Sequence, residues 1–259
     1  MNVYYIIPFL NELDLLHCLL QEVNSFVTKF VIVEGNCTFS GKSKSFNFEE
    51  NRNKFNEYKD KIVYLKVDIQ KYDGAWQLEH ATRRIALEVL NIKSEDIVIC
   101  GDADEIPREE TFKTALLNLI FTKKAQTLGM QNCMYKLNGI VKGSHWLGAA
   151  MDYRKNIKTL QELRNNRDRF NIVSNGGWHY SYLGTPAQIK EKISSYAHKE
   201  INEKYNEQDI EKAIKNSRGF FDDRKVEWIE NISYPRYVIE NMEEFISRGL
   251  IANCYDIHD

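Results

Sequence analysis

Apolar residues in the first hundred positions fall into short compact runs separated by longer stretches with helical spacing. Val3 to Phe9, Phe30 to Glu34, Ile62 to Val67 and Asp96 to Gly101 are strand-length runs dominated by Val, Ile, Phe and Tyr, and such runs suit strands buried on both faces. Between them, Glu12 to Val23 and Trp76 to Leu90 repeat apolar residues every three or four positions, the period of an amphipathic helix. Asn11 stands where the first of these helices needs an N-cap. Alternation of this kind predicts an α/β fold, Rossmann-like, with a mostly parallel central sheet and helices on both faces. Ligands of such sheets bind beyond the carboxyl ends of the strands, where Glu34, Asp102 and Asp104 fall.

Further along, Glu109 to Phe121 reads as a helix and Thr127 to Leu137 as a strand with Gly129 inside it. Residues 138 to 178 are punctuated by Gly139, Gly143 and Gly148 and carry Arg164, Arg167 and Arg169 in a polar stretch, so no regular element is predicted there. Helical spacing returns after Pro186, over Ala187 to His198, Glu207 to Asn216 and Met242 to Arg248. No repeat, low-complexity tract or linker divides the chain. A single domain over residues 1–259 is predicted, with a helical C-terminal region.

At 259 residues and 43% hydrophobic content the chain can bury a substantial core. Its net charge of −2, with no basic stripe, argues against a nucleic-acid binder. Met1 to Phe9 lacks a basic start and is broken by Pro8, so it reads as a first strand rather than a signal peptide. No apolar run approaches the roughly 18 residues of a membrane span, and a soluble protein is expected. Five cysteines, Cys18, Cys37, Cys100, Cys133 and Cys254, lie far apart with no Cys-x-x-Cys pair. That disfavours disulfides and zinc and points to a reducing, cytoplasmic setting.

The chemistry concentrates in Asp96-Ile97-Val98-Ile99-Cys100-Gly101-Asp102-Ala103-Asp104-Glu105-Ile106-Pro107. This run reads as a buried strand that ends in three carboxylates, so Asp102 and Asp104 are expected on one face and Glu105 on the other. Two like charges side by side call for a positive partner, and Mg²⁺ or Mn²⁺ carrying a diphosphate would supply it. Pro107 suits the first turn of the next helix. A solvated acidic turn would leave the same trace. The loop Glu34 to Lys44 is rich in Gly, Ser and Lys without P-loop spacing; Glu34 could accept from a base or ribose and a lysine could meet phosphate. Glu79 and Arg83 sit at i and i+4 on one helix face. In Asn175 to Gly184, paired glycines precede Trp178, His179, Tyr180 and Tyr182; His179 could ligate a metal, meet the diphosphate or be structural.

Taken in order, these segments resemble glycosyltransferase family 17, that of the bisecting β-1,4-mannosyl-glycoprotein 4-β-N-acetylglucosaminyltransferases. The residues carrying the resemblance are Asn11 to Leu16; Phe30 to Asn36 with Thr38, Phe39, Gly41 and Lys44; Trp76, Glu79 and Arg83; Asp102 to Pro107; Gly177 to Ser181; Gly219 to Asp222; and Tyr234 to Tyr237. The resemblance implies a GT-A fold, inversion, UDP-N-acetylglucosamine as donor and a divalent metal, with a nucleotide-binding half near 1–125 and an acceptor-side half near 126–259. It implies that Glu34, Asn36, Lys44, Arg83, Asp102, Ala103, Asp104 and His179 bind the donor, with Asp102, Asp104 and His179 on the metal. Inversion also needs a base, for which Glu200, Asp152 and Glu105 are candidates, Glu105 being better suited to a supporting part. A glycan or related hydroxyl is the expected acceptor. Two rivals stay open: a haloacid-dehalogenase-type phosphatase, which also uses Asp-x-Asp after a strand, and a glycan-binding module using Trp178, Tyr180 and Tyr182.

Overall fold

In the computed structural model, which describes residues 1–38, 40–68, 75–195 and 204–253 and residues 75–79 by backbone alone, the four apolar runs become parallel strands. They are β1 (Val3–Phe9), β2 (Lys29–Gly35), β3 (Ile62–Val67) and β4 (Ile97–Cys100), side by side in the order β3-β2-β1-β4. Alternate residues feed two cores. Tyr5, Ile7, Phe30, Ile32, Ile97 and Ile99 pack with Leu16, Leu19 and Leu20 of helix α1 (Leu13–Val23). Ile6, Val31, Val33, Val98 and Cys100 face the other way, where Ala81 and Ala86 cover them. The near-continuous apolar reading of these strands has this two-sided burial as its cause.

After the short helix α2 (Asn47–Glu50), α3 (Ala75–Val89) supplies that second cover. A three-residue strand β5 (Glu105–Pro107) and helix α4 (Glu109–Thr122) follow β4. Then β6 (Gln126–Met134) and β7 (Gly139–Tyr153) form an antiparallel pair, and β7 joins β4 antiparallel. The connection over residues 135–138 is too short for a parallel crossover, which forces this pairing. The expectation of a mostly parallel sheet holds for β1 to β4 and, further along, for β6 with two short later strands, while the pairs made by β7 are antiparallel. The full order is β3-β2-β1-β4-β7-β6-β9-β5, with β8 (Asn171–Val173) on β6, β9 (Gly177–Ser181) between β6 and β5, and β10 (Val226–Trp228) on β7. The stretch over residues 138 to 178, to which the sequence assigns no element, contains the fifteen-residue β7, followed by α5 (Leu160–Asn165).

Three further corrections are local. Asn11 does not cap α1; Glu12 precedes the helix and its carboxylate accepts the backbone N–H groups of Leu10 at 3.3 Å and Asn11 at 3.1 Å. Pro107 lies in β5 rather than in a helix. β5 ends the strand order, and a residue without an N–H is tolerated at a sheet edge. The helix α6 (Pro186–Ser194) starts one residue earlier than its spacing suggests, because Thr185 and Gln188 form a capping box ahead of Pro186.

α6 and α7 (Glu207–Lys215) cover a third core built on Met134, Tyr135, Val141 and Val226. α8 (Arg236–Glu240) and α9 (Met242–Ser247) return to the N-terminal half, where His17 stacks between Phe55 at 4.3 Å and Tyr237 at 4.7 Å. No helix among the described residues is long and apolar enough to cross a membrane. The α/β class is as expected, with a parallel half that ends in a cluster of loops at its carboxyl edge and a mixed half that folds against it.

Candidate active site

β4 ends at Cys100, so Asp102 and Asp104 stand on a turn and the alternation argument does not apply to them. Pairing of β5 with β9 holds this turn: Glu105 lies opposite His179, and Tyr180 donates its N–H to the Asp104 carbonyl at 2.9 Å. Gly177 makes the crossing possible, since its φ is +133° and a Cβ there would stand 2.0 Å from the Ile106 carbonyl oxygen. On β9, Trp178 and Tyr180 enter the core while His179 points to the opposite face.

Asp102 is neutralised by arginines. Arg83 reaches its Oδ1 at 3.1 Å, and Arg164 contacts Oδ2. Arg164 also donates to both oxygens of Glu105, at 3.0 and 3.3 Å. Glu105 is fully buried and accepts in addition from Trp146 Nε1 at 2.8 Å and the Asp102 N–H at 3.1 Å. Burial alone would raise the Asp102 pKa; Arg164 and then Arg83 outweigh it and hold the carboxyl well below the usual carboxylate range. Arg164 is likewise pushed above its ordinary value by Asp102 and Glu105, against the effect of its own burial. Arg83 is locked further by Gln161 Oε1 at 3.1 Å.

Asp104 has different neighbours. Lys192 Nζ stands 2.8 Å from its Oδ2, and His179 Nε2 is 3.9 Å from its Oδ1. The His179 ring lies flat on Trp146, centroids 4.0 Å apart and planes within 13°. Asn132 Oδ1 at 3.3 Å and Ser181 Oγ at 3.2 Å complete its surroundings. Burial lowers the His179 pKa, partly offset by Asp104 and Glu105, so the ring is neutral near pH 7 and keeps a lone pair for a ligand. Among the described residues, no group of three His, Cys, Asp or Glu side chains is assembled that could hold a metal. Asp104 and His179 fit the part as a carboxylate oxygen and a neutral imidazole. Asp102 does not, because guanidinium groups take both its oxygens.

The remaining sequence candidates divide clearly. Glu34 is fully buried and accepts four hydrogen bonds, from Lys44 Nζ at 2.6 Å, Asn47 N at 2.7 Å, Phe48 N at 3.1 Å and Tyr64 Oη at 2.8 Å. It builds the loop after β2 instead of offering an acceptor to a nucleotide, and Lys44 is spent on it. Asn36 is half-buried at that edge and donates to Asp68 at 2.9 Å. Ala103 is buried in the core, leaving only its backbone to a ligand. Asp152 pairs in register with Val98, near the start of β4 and away from the carboxyl edge. There it accepts from Tyr153 N at 2.7 Å and Asn156 Nδ2 at 2.8 Å, so its role is to stabilise a turn. Glu105 is enclosed by donors, which suits support and not proton abstraction. Glu200 lies outside the described residues, as do the side chains of Trp76 and Glu79.

Arg164, Arg167, Trp146 and Lys192 are the site residues that sequence reasoning missed. Crowding of arginines at 164–169 was the one available signal. Arg167 lies over the Trp146 ring at 5.0 Å and 3.9 Å from Glu105, so Trp146 has contacts to both a cation and His179.

The profile described as glycosyltransferase family 17 matches residues 1–248. The β-1,4-mannosyl-glycoprotein 4-β-N-acetylglucosaminyltransferases of Mus musculus and Homo sapiens are each 22% identical to the chain, over 95% of its length and over 53% and 54% of theirs. The chain thus spans about half the length of these curated relatives. Among solved structures, a 4-diphosphocytidyl-2C-methyl-D-erythritol synthase aligns with 68% of this chain and 89% of its own at a TM-score of 0.45 and 10% identity. Glucosyl-3-phosphoglycerate synthase from Mycobacterium tuberculosis, in complex with Mn²⁺, UDP and phosphoglyceric acid, aligns with 68% and 69% at a TM-score of 0.37 and 13% identity.

Proposed function

The chain belongs to glycosyltransferase family 17, and from that premise we propose that it transfers a sugar, N-acetylglucosamine, from a UDP-sugar to a hydroxyl of a glycan or related acceptor, with inversion. The observation that carries this reading is the acidic turn at the carboxyl end of β4, held by β5 and β9 so that Asp104 faces a neutral His179. Parallel α/β sheets bind nucleotides at this edge.

In the reaction, the acceptor oxygen forms a bond to the anomeric carbon while the bond from that carbon to the diphosphate breaks. The electron pair leaves with UDP, and the hydroxyl proton passes to a base. Asp104 and His179 would hold Mn²⁺ or Mg²⁺, which when bound supplies positive charge to the diphosphate. Asp102, Arg83, Arg164 and Glu105 fix the turn on which Asp104 sits. Asn36, beside Asp68, is the candidate for contact with the nucleoside. Glu200 keeps its candidacy as base, whereas Asp152 is too far along β4. A phosphatase that attacks through Asp102 would need a free carboxylate oxygen there, and both are paired.

The test is UDP release from UDP-N-acetylglucosamine with Mn²⁺ and a panel of glycan acceptors. Acceptor-dependent release that EDTA abolishes is the expected result. No release with any acceptor, and none from other UDP-sugars, would overturn the reading.

A further inference from the structure

Lys192 sits in the last turn of α6 with its side chain only 11% exposed, its Nζ 2.8 Å from Asp104 Oδ2 and 3.5 Å from Glu12 Oε1. Enclosing a lysine to this degree strips its ammonium of water that only well-placed partners replace. Two of its partners come from different loops: Glu12 from the turn after β1, where backbone N–H groups also hold it, and Asp104 from the turn after β4. Helix packing does not call for a charge here, because Ile189 and Ile193 already bury α6 against the third core. Lys192 therefore delivers a positive charge from the acceptor-side half to the carboxyl edge of two neighbouring parallel strands, beside His179.

The other cations of the site are built differently. Arg83 is tied to Asp102 and Gln161, and Arg164 bridges Asp102 and Glu105 through several bonds. Their planar forks are committed, whereas an ammonium on a four-carbon stem can turn to a new acceptor while staying within reach of the old one. We propose that Lys192 is a ligand of the donor diphosphate, so that the site carries its own positive charge at Asp104 alongside that of a metal. This rests on the glycosyl-transfer reading above. The rival account is that the ammonium merely fills the place of a metal at Asp104.

The experiment is UDP binding to the full chain by calorimetry, in EDTA and in Mn²⁺, with the unfolding midpoint recorded for each variant. In EDTA, Lys192→Gln should weaken UDP binding by about tenfold, the scale of one charge-assisted hydrogen bond, while Lys192→Arg stays within about threefold of the unaltered protein. Lys192→Met, which keeps the apolar stem, takes the place of the Gln variant if that one fails to fold. In an Asp104→Asn background the loss of Lys192 should still weaken UDP binding, because a direct contact does not act through Asp104.

Unchanged UDP affinity in Lys192→Gln together with tighter Mn²⁺ binding would overturn the proposal in favour of the place-filling account. So would a Lys192 effect that vanishes in the Asp104→Asn background, or UDP binding by the unaltered protein that disappears entirely in EDTA. Failure of the unaltered protein to bind UDP under either condition would remove the glycosyl-transfer reading, and this proposal with it.

Discussion

Asp102 gives both carboxylate oxygens to Arg83 and Arg164, whereas Asp104, two positions on, meets one ammonium and faces an imidazole. The two aspartates should therefore respond differently to the same change. Asp102→Asn leaves the nearly buried Arg83 and Arg164 short of charge, and with Asp102 itself 29% exposed the cost should be about 1–3 kcal/mol of stability. Asp104→Asn leaves the nearly buried Lys192 with Glu12 at 3.5 Å as a remaining carboxylate, so it should cost stability on no more than the same scale, and it should lower transfer by at least about a hundredfold. Thermal unfolding and UDP release on both variants check this, and the opposite pattern would mean that the roles are exchanged. Asp102, Asp104 and His179 were visible in the sequence because a local run of acids, or a histidine after paired glycines, carries its own signal. The pairing of Asp102 with arginines was not: Arg83 was named through the resemblance but not as a partner of Asp102, and Arg164 was not named for the site at all, since they lie 19 and 62 positions from Asp102. Spacing along a chain holds no record of such contacts.

At the scale of elements, the pairing of β5 with β9 places the acidic turn beside His179, and Gly177 permits it. Gly177→Ala would set a Cβ against the Ile106 carbonyl at a φ of +133°, which should cost more than about 2 kcal/mol. Transfer should fall with it, because Glu105 and His179 would lose their register. A Gly177→Ala protein with unchanged unfolding and activity would show that this crossing is not needed. The strands β1 to β4 were legible because two-sided burial makes them continuous apolar runs. β7 was not, since its first nine residues mix buried, half-buried and exposed positions without a period of two and include Gly139 and Gly143, and only the stretch from Gly148 is uniformly buried. The acidic run reads from the sequence as the end of a strand, whereas the strand stops at Cys100. Its ending at Cys100 depends on β5 leaving the parallel half to pair with β9, a choice made by tertiary contacts.

Across the whole molecule, the C-terminal segment closes on the N-terminal half through His17, stacked between Phe55 and Tyr237, and through Glu22, which accepts the N–H groups of Glu109 at 3.2 Å and Arg236 at 2.7 Å. Burial lowers the pKa of both His17 and His179 from the ordinary 6.5. The unfolded chain therefore binds protons that the folded one refuses, and stability must fall as pH drops below about 6.5, down to the lowered folded values. Asp102 adds a later loss that begins only below the ordinary carboxylate value of 3.8, because its folded pKa is depressed. The unfolding midpoint should accordingly be lower at pH 5 than at pH 7, and His17→Phe, which keeps the stack, should remove part of that difference; a flat profile would contradict the burial argument. The central claim joins the two halves at one place, with Asp104 from the parallel half and His179 from the mixed half holding one cation and the donor diphosphate. A crystal structure with UDP and Mn²⁺, the metal located by its anomalous scattering, tests it most directly. The account predicts a manganese peak bonded to Asp104 and His179 with Asp102 still paired to Arg83 and Arg164, and a peak bonded to Asp102, or one away from both Asp104 and His179, would contradict it.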